Sequence, residues 1–265
     1  MASHARLFAA SAALFVTSIA GCASAPSPST AGLPASAPVV ASSRPVAASP
    51  TTGAPPAAFE CDDFTTGCAG NLTAGDHSSS NFTIPLTLTV PDGWVNVRDT
   101  VRTYEVEPAS SSGVPGHPDI EVLAMNAIPD QASCGPVPLA GAGSTVTDFV
   151  DFVSHHPGLD ATAPAPVTID GYQGQSIDFG VRSDWTAMCP DIDPVNPVAL
   201  MLTSTNSDPP GRHLAYSRDV RVRWIVLDVA GETVIVELVA PAEQFDAVMT
   251  GEQPIIDSLD FGPGA

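Results

Sequence analysis

Two apolar stretches near the carboxyl end of the chain give the clearest secondary-structure signal. Residues 220–228 and 232–239 are rich in β-branched side chains, and Ala230-Gly231 separates them. Such residues favour strands, and a two-residue turn with glycine favours a hairpin. Because both stretches are apolar at consecutive positions, we expect them to pair as central strands of a sheet.

Other parts of the chain alternate apolar and polar residues, which predicts further strands. These strands are 81–90, 94–97, 101–106, 120–127, 165–169, 172–179 and 198–203. Apolar residues at helical spacing predict one helix over 147–155 and a second that starts within 241–249 and ends within 253–259. Strands outnumber helices and hairpins dominate. The predicted fold class is therefore α+β, an antiparallel sheet covered by a few helices.

The amino-terminal part follows a different pattern. Residues 7–19 are mostly apolar and follow Arg6, which is typical of a signal-peptide core and short for a membrane-spanning helix. Residues 23–58 are almost entirely Ala, Ser, Pro, Thr and Gly, which predicts a disordered, semi-extended tether. We therefore expect a signal peptide over 1–21, a tether over 22–58 and a single α+β domain over 59–265.

The end of the apolar stretch, Ile19-Ala20-Gly21-Cys22, resembles a bacterial lipobox. The resemblance implies that the signal peptide is cut before Cys22 and that the Cys22 thiol carries fatty acyl groups such as palmitate. Lipidated Cys22 would then anchor the protein to the extracytoplasmic face of the cell membrane. The alternative is an ordinary signal peptide that ends near a cysteine, and both alternatives imply export.

Composition restricts the partners. The basic residues are nine arginines against 29 acidic residues, which gives a formal net charge of −20. This charge opposes a phosphate backbone, so we expect no nucleic-acid partner. An apolar content of 44% is too high for a wholly disordered acidic protein.

The cysteines beyond Cys22 are Cys61, Cys68, Cys134 and Cys189. An even number in an exported protein suggests two disulfides, for which three pairings are possible. We expect Cys61–Cys68, which closes a short local loop, together with Cys134–Cys189. The sequence has no Cys-x-x-Cys spacing, so it predicts neither a zinc nor a redox site.

A set of landmark residues follows a fixed order along the folded part: Pro91, Gly93, Trp94, Gly171, Gly174, Ile255, Ile256, Ser258, Leu259 and Phe261. This order resembles the PsbP-like α/β/α sandwich. That family has a Pro-x-Gly-Trp turn near its start and an Ile-Ile-x-Ser-Leu/Phe-x-Phe segment at its end. Insertions at 107–118 and 183–219 depart from a minimal version. The resemblance implies an accessory or binding module and no single shared chemistry.

Residues that could perform chemistry are scattered. Asp151 and His155 stand four positions apart on the predicted helix and could bind a cation, but a histidine also suits a helix carboxyl end. Asp184, Asp191 and Asp193 in a Pro-rich loop could bind calcium, but they match no known spacing and are expected to be solvated. The sequence has no Gly-x-Ser-x-Gly elbow. We expect no enzymatic activity, no catalytic residue, no metal and no cofactor.

The basic residues concentrate at Arg212, Arg218, Arg221 and Arg223. Arg221 and Arg223 share one face of the predicted strand. Their first expected role is to neutralise surrounding carboxylates, but an anionic ligand or partner could use them, so they are the candidate ligand-binding residues.

The predicted function is that of a lipid-anchored, non-enzymatic module that binds an unknown small ligand or an envelope protein. The alternatives are a structural envelope protein without a pocket and an unrecognised exported hydrolase.

Overall fold

Antiparallel strands dominate the computed structural model, which describes residues 67–112, 116–124, 127–135, 137–203 and 213–262. The strands are β1 (Gly70–Asn71), β2 (Gly75–Ser78), β3 (Thr87–Val90), β4 (Trp94–Asp99), β5 (Thr103–Pro108), β6 (Asp119–Leu123), β7 (Leu159–Ala161), β8 (Ala165–Ile169), β9 (Tyr172–Val181), β10 (Ala199–Thr203), β11 (His213–Tyr216), β12 (Val220–Val229) and β13 (Glu232–Pro241). The helices are α1 (Val146–His155) and α2 (Phe245–Ile256). The predicted α+β class, an antiparallel sheet with helices, is confirmed.

A nine-stranded sheet organises these elements. Its order is β1-β4-β5-β6-β13-β12-β9-β7, with β8 also paired to β9, and every pairing is antiparallel. The hairpin of β12 and β13 pairs from Val220 with Pro241 to Val229 with Glu232. Ala230 and Gly231 in its turn have φ angles of 54° and 90°, as a primed hairpin turn requires. The predicted central hairpin is therefore present.

Both faces of this sheet are covered. Helix α1 and the β10–β11 hairpin cover one face, the α1 face, where Phe149, Phe179 and Trp224 are buried. Helix α2 and the segment 82–90 cover the other, the α2 face, with Leu88 and Ile256 among the buried residues. Successive residues of a strand point to opposite faces, so β12 and β13 supply apolar side chains to both layers.

Helix α1 begins where the predicted helix did, within one residue. The Thr145 side chain accepts a hydrogen bond from the Asp148 amide, and the Asp148 carboxylate accepts one from the Thr145 amide at 2.9 Å. This capping box satisfies two amides that the first helical turn leaves unpaired. The hydrogen bonds from Thr145 lower the pKa of Asp148.

Several predicted boundaries are wrong for identifiable reasons. The predicted strand 81–90 alternates correctly, with Phe82 to Val90 buried at every second position, but ladder pairing starts only at Thr87. Pro85, which has no amide hydrogen, stands in the unpaired part. At the carboxyl end, Pro241 belongs to β13, and α2 begins only at Phe245.

The disulfide predicted between Cys134 and Cys189 is present, with Cα atoms 5.1 Å apart. It ties the turn after β6 to the loop between β9 and β10, where Cys189 is fully buried. Cys68 is also disulfide-bonded. Cys61, Cys22, the predicted signal peptide and the tether lie outside the described residues. In the described part of the chain, no helix is long and apolar enough to cross a membrane.

Glu252 is a carboxyl group on the buried side of α2. It is 4% exposed, and within the described residues its Oε2 atom has no hydrogen-bond partner. Burial disfavours the charged form and raises the pKa of Glu252 to about 8. The folded protein therefore keeps a proton that the unfolded chain releases above pH 4.5.

We expect the free energy of unfolding to fall as pH rises from about 4.5 to about 8, because the unfolded state then binds fewer protons than the folded state. Glu252→Gln removes the contribution of Glu252 to this dependence, leaving that of Asp119, and raises the free energy of unfolding by roughly 2 kcal/mol or more at pH 8. Urea unfolding at several pH values measures this free energy for both proteins. The exposed Glu243→Gln variant is the control. Parallel pH profiles for wild type and Glu252→Gln would contradict the expectation.

Candidate ligand-binding site

A cleft of about 440 Å³ opens beside the outer strand β7 on the α2 face of the sheet. We call it the arginine cleft. It is lined by Asp160, Gly180, Arg182, Ser183, Arg218 and Arg221, among others. Its arginines come from three places in the chain: Arg182 directly follows β9, Arg218 lies between β11 and β12, and Arg221 is the second residue of β12.

Strand register creates the opening. Gly180 on β9 pairs with Asp160 on β7 and with Arg221 on β12, so these three residues lie in one row across the sheet. Residues directly opposite in an antiparallel sheet share a face. Because Gly180 has no side chain, a gap separates Asp160 from Arg221. A Cβ atom at position 180 would lie 3.5 Å from the Cγ atom of Arg221.

The three arginines have different partners. Arg182 donates two hydrogen bonds of 2.8 Å to the Asp184 carboxylate, which raise the pKa of Arg182 and lower that of Asp184. Arg218 donates to the main-chain carbonyl oxygens of Arg182, at 3.3 Å, and of Trp185. The Arg221 guanidinium lies 4.8 Å above the Phe245 ring. Among the described residues, neither Arg218 nor Arg221 forms an ion pair with a carboxylate.

Arg223, the other candidate from the sequence, is placed differently. It donates two hydrogen bonds, of 2.6 and 2.8 Å, to Asp178, its cross-strand neighbour on β9. It lies 5.8 Å from the centre of the Phe245 ring and lines a separate cavity of about 540 Å³ beside α2. The structure thus places Arg221 and Arg223 against one aromatic ring but in two different cavities. Arg212 lies outside the described residues.

Trp185 joins the arginine cleft to the end of α1. Its Nε1 donates to the Val198 carbonyl at 2.9 Å, and its ring lies 5.4 Å from that of His156. A Cβ atom at Gly158 would lie 2.5 Å from the same indole. Real Cβ atoms do not approach so closely, so only glycine fits beside this ring. Burial lowers the pKa of His156 below its usual 6.5.

A second concave surface lies on the opposite, α1 face and was not predicted from the sequence. Arg98, Glu105, Glu121, Glu237 and Trp224 form a row across five neighbouring strands. Arg98 binds Glu105 at 2.7 Å and Glu121 at 3.3 Å. Trp224 donates from Nε1 to Glu237 at 2.6 Å. We call this arrangement the carboxylate row.

The carboxylate row borders a cavity of about 440 Å³ that Asp119 and Tyr216 also line. Burial, followed by the charges of Glu105, Glu237, Glu121 and Glu107, raises the pKa of Asp119 well above its usual range. Burial and then the charge of Glu237 raise the pKa of Tyr216. In the described part of the chain, no group of three or more His, Cys, Asp or Glu residues is arranged to hold a metal ion.

The other candidates from the sequence have local contacts. His155 contacts the main-chain carbonyl oxygen of Asp151 at 2.8 Å, within α1. Asp184 pairs with Arg182, and Asp193 accepts from the amides of Val195 and Asn196 at 2.8 Å. These contacts stabilise a helix end and two loop turns.

No protein-family model and no curated protein matches the chain. Among solved structures, the chain is similar to LpqN of Mycobacterium tuberculosis, which is described as involved in cell envelope biogenesis. The two share 13% identity over 73% of this chain and 99% of LpqN, with a TM-score of 0.35. It is also similar to PsbP of the cyanobacterium Synechocystis sp. PCC 6803, with 14% identity, 74% and 97% coverage and a TM-score of 0.35. At these TM-scores neither similarity supports an argument about family or function.

Truncation of Trp224 tests the carboxylate row. We expect Trp224→Phe to cost about 1–3 kcal/mol more than Trp94→Phe in free energy of unfolding. Both indoles are buried, but Trp224 also donates a hydrogen bond to the buried Glu237. Urea denaturation of both variants measures the difference. Equal costs would show that this hydrogen bond does not stabilise the fold.

Proposed function

We propose that the chain is an exported lipoprotein of the cell envelope, anchored to the extracytoplasmic face of the cell membrane through lipidated Cys22. Its folded part, a domain of the PsbP-like sandwich type, is a non-enzymatic module that binds a small ligand or an envelope protein. The lipobox-like residues 19–22 and the Pro-rich segment 23–58 support the anchor and the tether.

The observation that carries the binding function is the arginine cleft. It is open, its volume of about 440 Å³ suits a small ligand, and charged side chains from several elements line it. In a chain with nine arginines and a net charge of −20, this local concentration of cations is unusual. Arg218 and Arg221 have main-chain and aromatic contacts but no ion pair with a carboxylate in the described residues, which favours binding over the structural alternative. The hydrolase alternative receives no specific support from the contacts of His155 and Asp151.

Acylation of Cys22 tests the anchor. When the full chain is produced in a bacterium that processes lipoproteins, we expect it to incorporate labelled palmitate and to give an amino-terminal peptide with the mass of acylated cysteine. Cys22→Ala should lose the label, whereas the nearby control Ser24→Ala should keep it. An unlabelled wild type, or a Cys22→Ala variant that keeps the label, would overturn the lipid anchor.

Thermal unfolding of the mature protein in detergent tests the binding function. At about a hundred times the dissociation constant, a ligand should stabilise the fold by roughly 2.7 kcal/mol, so we expect at least one member of a panel of sugars, lipids, peptides and small anions to raise the Tm in a concentration-dependent way. If the whole panel has no effect and crosslinking in intact cells captures no specific envelope protein, the structural alternative holds instead.

A further inference from the structure

We infer that the arginine cleft binds a tetrahedral oxyanion, a phosphate group, between Arg218 and Arg221. This inference rests on the proposed function and names the ligand class of the same site. The phosphate could belong to a soluble phosphate ester or to the headgroup of an anionic lipid, and the experiment below distinguishes the two sources.

The cleft is built around the gap at Gly180. Asp160 and Arg221 occupy the flanking positions of the same row, and Ser183 and Arg218 line the same opening. Phe245 fixes the Arg221 guanidinium from below, and two main-chain carbonyl oxygens hold the Arg218 side chain. Both guanidinium groups are thus positioned by the fold before any ligand arrives, which reduces the entropy lost on binding.

The local charge favours an anion. Arg182 is neutralised by Asp184, while Asp160 is the carboxylate that faces the cleft from β7 and Asp219 lies in the same turn as Arg218. Arg218 and Arg221 form no ion pair in the described residues, although the charge of Arg218, like that of Arg182, helps to lower the pKa of Asp184. A bound anion would supply the countercharge that neighbouring protein carboxylates supply to Arg182 and Arg223.

A phosphate group suits two guanidinium groups that come from different elements. In this protein each carboxylate that meets one of these surface arginines is engaged by that single arginine through both oxygens: Asp184 by Arg182 and Asp178 by Arg223. A ligand that bridges two guanidinium groups from different elements is bound best when it offers several acceptor oxygens in different directions. A phosphate group has them, and arginine binds phosphate through paired N–H donors.

The test titrates inorganic phosphate into the full lipidated protein in non-ionic detergent and follows the Tm and isothermal calorimetry. We expect saturable binding that Arg221→Gln and Arg218→Gln each weaken by about tenfold or more, because each variant loses a charge-assisted hydrogen bond to the phosphate. Asp160→Asn should tighten binding severalfold because it removes the facing negative charge. Arg102→Gln, which loses a surface ion pair with Glu232 elsewhere, should bind phosphate as the wild type does.

Two further arms distinguish the source of the phosphate. Glycerol 1-phosphate represents a soluble ester, and mixed micelles with phosphatidylglycerol represent an anionic lipid, with phosphatidylcholine micelles as the zwitterionic control. A lipid source predicts an Arg221-dependent Tm increase that is larger with phosphatidylglycerol than with glycerol 1-phosphate, whereas a soluble source predicts the reverse.

The inference is overturned if phosphate does not bind, or if Arg221→Gln, Arg218→Gln and Asp160→Asn bind it as Arg102→Gln does. If phosphate fails but another member of the panel binds, the inference falls and the proposed function stands. If nothing binds and no partner is captured, both fall. Because Asp160→Asn is expected to change affinity in the opposite direction from the arginine variants, a general loss of folding cannot imitate the result.

Discussion

Burial of the β12–β13 hairpin on both faces is the constraint on which the other elements depend. Two adjacent strands without a solvent face cannot keep an unpaired polar group at low cost. Where a carboxyl does occur, at Glu237, the indole of Trp224 on the paired strand donates to it. The same constraint confines Arg221 and Arg223 to the beginning of β12, beside Phe245 at the start of α2. The charged side chains of Arg221 and Arg223 therefore lie at the start of β12, where helix α2 begins to cover the sheet.

The two concave surfaces show how one sheet carries opposite charges on opposite faces. The carboxylate row crosses the sheet on the α1 face, whereas the arginine cleft lies on the α2 face near β7. Both are produced by strand register, which brings residues distant in sequence into one row. Beside the carboxylate row, burial and then the charges of neighbouring glutamates raise the pKa of Asp119. In the arginine cleft a missing side chain at Gly180 leaves room for a ligand.

Local sequence patterns correctly predicted the elements that depend on residues close together in the chain. The apolar hairpin, helix α1 and the tight turns at Asp170-Gly171 and Ala230-Gly231 follow from periodicity and turn chemistry. The short strands β1, β2, β7 and β11 escaped prediction because they are two to four residues long and have little apolar alternation. The carboxylate row was not predicted because Glu121 and Glu237 are brought together only by the pairing of β6 with β13, which are distant in sequence. A glutamate inside the apolar run 232–239 was the available signal.

Gly158 has a consequence for recognising relatives of this protein. Its missing side chain lets the Trp185 indole lie against the end of α1, and the carbonyl oxygen of Trp185 in turn holds the Arg218 side chain. Any larger residue at position 158 would displace the ring and, through it, one wall of the arginine cleft. A distant homologue that keeps this cleft should therefore combine a glycine just after its first helix with a tryptophan about 27 residues later, even where overall identity has disappeared.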